Sequence, residues 1–251
     1  MANYTGKQIY YFEELPSTNS YATELLLEQP PEGSLIQAGY QSAGRGQKGS
    51  RWESQAHENL IFSVIYYPTF LPINRVFQLS KMTAVALYDC LRHFLPKEEI
   101  LIKWPNDLLV NKKKIAGILL ENQFEGKHLR SSVIGIGLNV NQADFPEELT
   151  TKATSLALLQ GKKIDIGDVL QRMMDSLEAR YEELKQAKAS SLDRFYLQQL
   201  YGYQEEVEVE IEGEGMTVMP VGVGLDGRVA LVIDGVLKYF DIKEVKWMIP
   251  N

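Results

Sequence analysis

Hydrophobic and polar positions along the chain follow two rhythms that change over near residue 202. In the first stretch, residues 8–12 read as a short strand, and after Pro16 the hydroxyl and amide side chains of Ser17-Thr18-Asn19 suit the opening of a helix over residues 21–28. Residues 34–40 and 59–67 read as strands, and the glycine-rich, basic residues 41–52 between them predict a mobile loop. From residue 73 to residue 94, Val76, Leu79, Thr83, Leu87, Cys90, Leu91 and Phe94 recur at helical spacing until Pro96 ends the pattern, so Cys90 is expected on a buried helix face. Residues 100–103, 108–110, 115–120 and 133–140 read as further strands, the second and third joined by a tight turn at Asn111-Lys112-Lys113. Val169, Leu170, Met173, Met174, Leu177, Tyr181 and Leu184 mark a core-facing helix over residues 169–184, and a shorter helix fits residues 192–200.

Past Tyr201-Gly202 the period drops to two. Residues 206–212 read Glu-Val-Glu-Val-Glu-Ile-Glu, a strand with one wet face, and turn signals then recur at Gly213-Glu214-Gly215, Asp226-Gly227 and Asp234-Gly235. The last stretch is therefore expected to be a small antiparallel barrel, too small to be very stable alone and docked on the larger part. Strands and helices before it do not alternate regularly, which favours α+β over a doubly wound sheet.

Composition narrows the function classes. A chain of 251 residues, 45% hydrophobic and 24% charged, is ordinary globular protein and long enough for a large domain with a small one. With 26 Lys+Arg against 33 Asp+Glu, the net charge of −7 argues against nonspecific binding to nucleic acid or an anionic membrane. No apolar run approaches the roughly 18 residues that span a bilayer. One cysteine and three histidines give neither a disulfide nor a zinc-type cluster, so no fixed metal site and a cytoplasmic location are expected.

The charge is not spread evenly. Residues 41–52 hold Arg45, Lys48 and Arg51 with no acid, and residues 103–114 hold four lysines and one aspartate; these two windows carry +6 and leave −13 on the other 227 residues. Residues 44–49 match G-x-G-x-x-G, but a strand follows where a dinucleotide fingerprint needs a helix, and the P-loop Lys-Ser/Thr is absent. What remains is a loop whose glycines let backbone N–H groups and cations turn toward an anion, with Trp52 offering a flat face to a ring; a plain solvated hairpin reads equally well. In the second window Lys112 and Lys113 read as solvated hairpin lysines, whereas Lys103 and Lys114 adjoin apolar strand residues.

Taken in order, Gly44-Arg45-Gly46-Gln47-Lys48-Gly49-Ser50-Arg51-Trp52, Lys103-Trp104-Pro105-Asn106-Asp107-Leu108, Lys114-Ile115-Ala116-Gly117-Ile118-Leu119 and Gly135-Ile136-Gly137-Leu138-Asn139-Val140-Asn141 resemble biotin–protein ligase, with Ser17-Thr18-Asn19, Gln41 and Ala153-Thr154-Ser155-Leu156 also matching. The resemblance implies a mixed-sheet biotin/lipoate ligase-like catalytic domain over residues 1–202 and an SH3-like β-barrel over residues 203–251. It also implies a two-step reaction, in which biotin and MgATP give biotinyl-5′-AMP and pyrophosphate and the biotinyl group then passes to a lysine of a biotin carboxyl carrier protein or domain.

Residue by residue, the resemblance assigns the biotin head group to Ser17, Thr18, Asn19 and Gln41, with Arg45, Gly46, Gln47 and Gly117 around the ligand and Lys114 facing the carboxylate. It assigns the nucleotide to Arg45, Lys48, Arg51, Trp52, Lys103, Asn106 and Asn139, with Trp52 on the adenine. Joining a carboxylate to a triphosphate brings two anions together, so Arg45, Lys103 and Lys114 are candidates for the stabilising charge. Transfer needs a neutral acceptor amine, and a lysine of pKa ~10.4 is only about 0.04% neutral at pH 7, a handicap of roughly 4.6 kcal/mol. Asp107 could accept that proton or simply pair with Lys103. Gln47 and Ser50 stand where many family members carry arginine, which suggests weaker retention of the adenylate. Lipoate–protein ligase is the nearest alternative enzyme; a biotin-sensing transcriptional regulator is disfavoured because Ser17-Thr18-Asn19 comes too early to leave room for a helix-turn-helix. Exposed strand edges could pair two copies as a homodimer, by analogy only.

Overall fold

The computed structural model describes residues 5–186 and 189–250, apart from the side chains of Lys48 and Ala189. Seven strands make the main sheet: β1 (Ile9–Leu15), β2 (Leu35–Gln41), β3 (Asn59–Tyr66), β4 (Ile100–Lys103), β5 (Asp107–Val110), β6 (Lys113–Glu125) and β7 (His128–Asn139). Their order is β1-β2-β3-β7-β6-β5-β4, with β1 and β2 parallel and every other pair antiparallel. The mixed sheet agrees with the α+β expectation. β6 and β7 run beyond their apolar cores because the ladder continues through Asn122↔Ser132 and Gln123↔Ser131, and backbone pairing needs no apolar side chain. The expected tight turn between β5 and β6 is present, with Asn111 and Lys112 both at positive φ (49° and 65°).

Period-two alternation splits the sheet into two unlike faces. Leu60, Phe62 and Val64 of β3 join Ile134, Ile136 and Leu138 of β7 in one continuous core with three helices, α2 (Phe77–Phe94), α4 (Ile166–Lys185) and α5 (Ala189–Gln198). On the opposite face Ile36, Ala38, Ile65 and Val133 pack under α1 (Thr18–Leu25) through Ala22 and Leu25. Further along that face stand Gly117, Gly135 and Gly137. The register pairs Gly117 with Gly137 and Leu119 with Gly135 across β6 and β7, and Ser63 with Gly135 across β3 and β7. Three glycines on one face of adjacent strands leave a floor without side chains.

The predicted stripe of α2 is inside: Leu79, Thr83, Leu87, Cys90 and Leu91 are buried. Burial also reaches Gln78, Lys81, Met82, Ala84, Val85 and Ala86, because α4, α5 and the second sheet enclose the helix on several sides. Lys81 meets Asp193 of α5 at 2.7 Å and donates to the Val223 carbonyl at 3.3 Å. Cys90 is inert in this setting, since burial pushes its thiol from 9.0 up to about 12. A helix that the sequence pattern did not predict, α3 (Leu156–Gln160), is capped by the Ser155 side chain and closed by Gly161 in the left-handed region.

The second sheet holds β8 (Val207–Ile211), β9 (Glu214–Val223), β10 (Val229–Ile233), β11 (Val236–Phe240) and β12 (Val245–Trp247) in the order β11-β10-β9-β8-β12, antiparallel throughout. The Glu-Val alternation of β8 works as read, with Val209 and Ile211 buried and Glu208 exposed. Val209, Val218, Val229, Leu231 and Val245 merge with the core around α2, so the second sheet is docked through apolar contact. Among the described residues, no helix is long and apolar enough to cross a membrane.

Candidate active site

The β4–β5 hairpin puts Lys103 directly opposite Asp107 in the ladder. Asp107 Oδ2 lies 3.3 Å from Lys103 Nζ, and Oδ1 lies 2.6 Å from Lys114 Nζ on β6. The Lys114 contact is a close ion pair. With Asp107 only 13% exposed, one shielded carboxylate holds two cations on neighbouring strands.

The residues between Lys103 and Asp107 fasten this turn. Trp104 is 1% exposed; its indole N–H donates to the Gly227 carbonyl at 2.8 Å, and its own carbonyl accepts from the Trp247 indole at 2.9 Å. Both partners belong to the second sheet or its turns, so Trp104 joins the two sheets. The Trp104–Pro105 peptide is cis. Asn106 Nδ2 donates to the Ile118 carbonyl at 3.0 Å while the Ile118 amide donates back to Asn106 O at 2.9 Å, clamping the turn to β6. Asn139 is likewise committed to structure, its Nδ2 donating to Thr154 O at 3.0 Å. Thr154 in turn flanks Lys114, through N–H···O bonds from Lys114 to Lys152 and from Thr154 to Lys114.

At the N-terminus of α1 a different arrangement appears, built mainly of hydroxyl and amide groups. Ser17 caps the helix through Ser20 N–H. Gln41 Oε1 accepts from both the amide and the hydroxyl of Thr18, at 2.7 and 3.1 Å, which orients its amide N–H groups away from Thr18. The Ser63 hydroxyl donates its one proton to Asn19 Oδ1 at 2.6 Å and lies within hydrogen-bond distance of Thr18 Oγ1 at 2.8 Å. Asn19 Nδ2 reaches Glu121 Oε2 at 2.9 Å and the Leu119 carbonyl at 3.3 Å. Gly135 permits this approach, because a Cβ there would collide with the Asn19 amide. Asn19 thus spends its hydrogen-bonding capacity on protein, while the Ser17 hydroxyl and Gln41 Nε2 keep donors for a ligand.

The glycine-rich loop closes over the floor. Arg45 and Arg51 form a short bridge, the Gly46 amide donates to Ser50 O at 2.8 Å, and the Ser50 hydroxyl donates to Gln47 O at 2.9 Å. Trp52 lays its indole on Gly137 and Gly117, and Lys114 Nζ lies 5.6 Å from the ring centroid. The indole N–H of Trp52 is buried without a partner. Arg45 pairs through Nη2 with Glu121 at 2.8 Å and not with Asp107; it borders the narrow cavity together with Lys114, whose Nζ stands beside Gly117. The Lys48 side chain lies outside the described residues.

Two cavities share the Trp52 wall. A narrow one of about 60 Å³ runs over the glycine floor and is bordered by Ser17, Thr18, Asn19, Gln41, Gln47 and Lys114 among others. A cleft of about 420 Å³ opens beyond Trp52 between Lys103, Lys114, Asn139 and the C-terminal residues Trp247, Ile249 and Pro250. Arg51, Lys112, Lys113 and Lys152 also border it, with Glu53 as the acidic residue of the lining. One cavity is small and lined by hydrogen-bonding groups together with Arg45, Arg51 and Lys114; its neighbour is wide and richer in lysine.

The family model described as biotin/lipoate A/B protein ligase matches residues 11–139, which spans the floor, the loop and the lysine hairpin. The chain belongs to the biotin/lipoate A/B protein ligase family. Among curated relatives, the bifunctional ligase/repressor BirA of Bacillus subtilis is 41% identical over 180 residues, covering 71% of this chain and 55% of that one. The biotin–[acetyl-CoA-carboxylase] ligase of Mycobacterium tuberculosis is 35% identical over 160 residues, 62% of this chain and 57% of that one. The chain thus spans a little over half the length of these relatives. Among solved structures, the biotin protein ligase from Aquifex aeolicus in complex with biotin and ATP superposes with a TM-score of 0.80 at 25% identity, covering 97% of this chain and all of that one.

In this family member the residues singled out from sequence converge on one face of the main sheet, with one division the sequence did not foresee: Arg45 stands at the α1 end and Lys103 and Lys114 at the other. Lys112 and Lys113 are exposed, as read, and also border the wide cleft. Sequence reasoning missed Glu121, Ser63 and the C-terminal residues of the cleft wall. Ser63 and Glu121 lie on the floor face of β3 and β6 by alternation, the one signal that could have found them.

Proposed function

We propose that the chain is a biotin–protein ligase, converting biotin and MgATP to biotinyl-5′-AMP and pyrophosphate and passing the biotinyl group to a lysine of a biotin carboxyl carrier protein or domain. The observation that carries this reading is the paired cavity: a hydrogen-bonding end where Arg45 and Glu121 offset each other's charge, a glycine floor, then two lysines around one aspartate opening into a cationic cleft. A ureido ring offers the donors and acceptor that Ser17, Thr18 and Gln41 match, and Lys114 meets the carboxylate. That carboxylate attacks the α-phosphorus of ATP, pyrophosphate leaves, and Lys103 and Lys114 offset the charge gathered there. In the second step the neutral carrier amine attacks the acyl carbon, AMP leaves with the bonding electrons on its phosphate oxygen, and the proton lost by the amine passes to that phosphate or to water. Asp107 acts as the counter-anion of both lysines, a role its two ion pairs support over that of base.

Trp52 and Arg51 border both cavities and so face the adenylate, whereas Arg45 holds the loop at the head-group end. Asn106 and Asn139 act by fixing strands beside the ligand. Magnesium would arrive on the triphosphate and neutralise its charge. Among the described residues no group of three or more His, Cys, Asp and Glu could hold a metal ion, and a magnesium site of this type is completed by substrate phosphates.

Residues 1–202 form the catalytic domain in this reading and residues 203–251 an SH3-like barrel, supported by five short antiparallel strands with a buried face. Use of ATP and a lone buried thiol suit the cytoplasm. Lipoate fits the head-group end poorly, because a dithiolane would leave the Ser17 and Gln41 donors without partners. Incubation with biotin, MgATP and a carrier domain, followed by intact mass, tests the reading. Addition of one biotinyl group is expected, and activation of lipoate but not biotin would overturn it.

A further inference from the structure

We propose that Glu121 is a positioning residue that holds the glycine-rich loop shut over the head-group end of the narrow cavity; this rests on the biotin-ligase reading. One carboxylate oxygen, Glu121 Oε2, accepts from Arg45 Nη2 at 2.8 Å and from Asn19 Nδ2 at 2.9 Å. It therefore links three elements far apart in sequence: the loop, β6 and α1. Glu121 does not border the narrow cavity; it stands behind Arg45 and Asn19, at the edge of a shallow groove on the loop's outer side. The root of the loop is tied to the end of β1, by the Ser42 amide to Leu15 O and the Ala43 amide to Pro16 O, both at 3.0 Å; beyond that root the other hydrogen bonds among the described residues at this end, from Gly46 to Ser50 and from Ser50 to Gln47, keep the loop's shape without fixing its tip to the sheet. At the far end Trp52 rests on Gly117 and Gly137, where an incoming ligand needs the room. Among the described side chains, the Arg45–Glu121 pair is thus the charged link between the tip of the loop and the main sheet that a ligand on the glycine floor can leave intact.

The chemistry fits a latch. The two side chains are 45% and 35% exposed, so water and salt weaken the pair enough for it to open, while the shared bond to buried Asn19 sets where the carboxylate stands when it closes. Closing buries the head-group donors and slows escape of whatever lies beneath; it adds no charge at the reacting phosphate.

Glu121→Gln keeps the shape and removes the charge. In the unliganded protein, amide hydrogen exchange of residues 44–52 should accelerate severalfold in E121Q while that of β6 and β7 stays at the wild-type rate. Isothermal titration with biotin alone should show about fivefold to tenfold weaker binding, the range for one partly exposed charge-assisted contact. At saturating biotin, kcat for adenylate formation should remain within twofold. In an Arg45→Gln background the E121Q effect on biotin affinity should disappear, because the carboxylate acts through Arg45. Unchanged loop exchange in E121Q would overturn the proposal, and so would an affinity loss that persists at full size in the Arg45→Gln background. If the wild-type protein does not bind biotin but E121Q still speeds loop exchange, the ligase reading fails and the latch stands. Glu121→Asp, which retains charge but shortens the reach, should fall between wild type and E121Q in exchange rate.

Discussion

The two basic segments that face each other across the glycine floor are built by opposite means. The lysine hairpin is fixed from behind: Trp104 is buried and bonded to the second sheet on two sides, Asn106 is clamped to β6, and Asp107 holds both lysines. The glycine-rich loop is bonded to the end of β1 at its root, and beyond Ala43 its described residues are held by a partly exposed ion pair, its own turn, and an indole laid on glycine. Charge that must meet a reacting phosphate gains from rigidity, since a group already in place needs no reorganisation during the reaction. A cover that admits a ligand gains from ties that water can compete for. The same net charge in two windows of equal length therefore serves two different ends.

The contrast can be broken most severely at Trp104. Trp104→Ala should cost roughly 3–5 kcal/mol of stability, as for other large buried aromatics, and should loosen the second sheet; urea unfolding followed by tryptophan-independent circular dichroism checks it. An unchanged midpoint would mean that the hairpin is not braced from behind. Next in size, Lys103→Ala should lower the rate of adenylate formation ~10²–10³-fold with little change in biotin affinity, measured by pyrophosphate release. Near-normal rates would remove Lys103 from the reacting centre.

How much of this was legible in the sequence differs between the two segments. The strand-loop-strand pattern around residues 41–52, the helix cap at Ser17 and the strands of the lysine hairpin follow from local rules of turn and period, and they stand within a few residues of where those rules put them. The bracing of the hairpin does not follow, because Trp104 meets Gly227 across 123 positions and Trp247 across 143, and no local pattern encodes such a meeting. The same holds for Glu121, which reads as a strand-end acid until Asn19, 102 positions earlier, arrives beside it. α3 was missed because five residues carry too little periodicity; only the Ser155 cap and Gly161 announce it.

A smaller effect sharpens the loop side of the contrast. A Cβ on Gly137 would collide with the Trp52 ring, so Gly137→Ala should weaken biotin binding about tenfold and shift Trp52 fluorescence in the unliganded protein, while leaving the Trp104 contacts intact. Wild-type affinity would show that the floor has spare height. An effect confined to alkaline pH lies away from both segments, at Cys90. Its thiol is pushed up to about 12 in the folded chain from 9.0, so the unfolded chain loses its proton first, and stability should decline as pH rises from about 9 toward 12. Cys90→Ala should lessen that decline without abolishing it, because burial also raises the Tyr66 and Tyr196 phenols, and maleimide should leave the native thiol unlabelled at neutral pH.

The alternation of β7 has one more consequence. Ile134, Ile136 and Leu138 point into the core, and Gly135, Gly137 and Asn139 point to the cavity. Sliding this strand by a single residue would exchange the two sets, burying glycines against α2 and setting isoleucines on the floor. Core and cavity are therefore two readings of one code. A chain that pairs its strands wrongly forfeits its stability and its binding site together, so the molecules that survive folding are those whose site is correctly shaped.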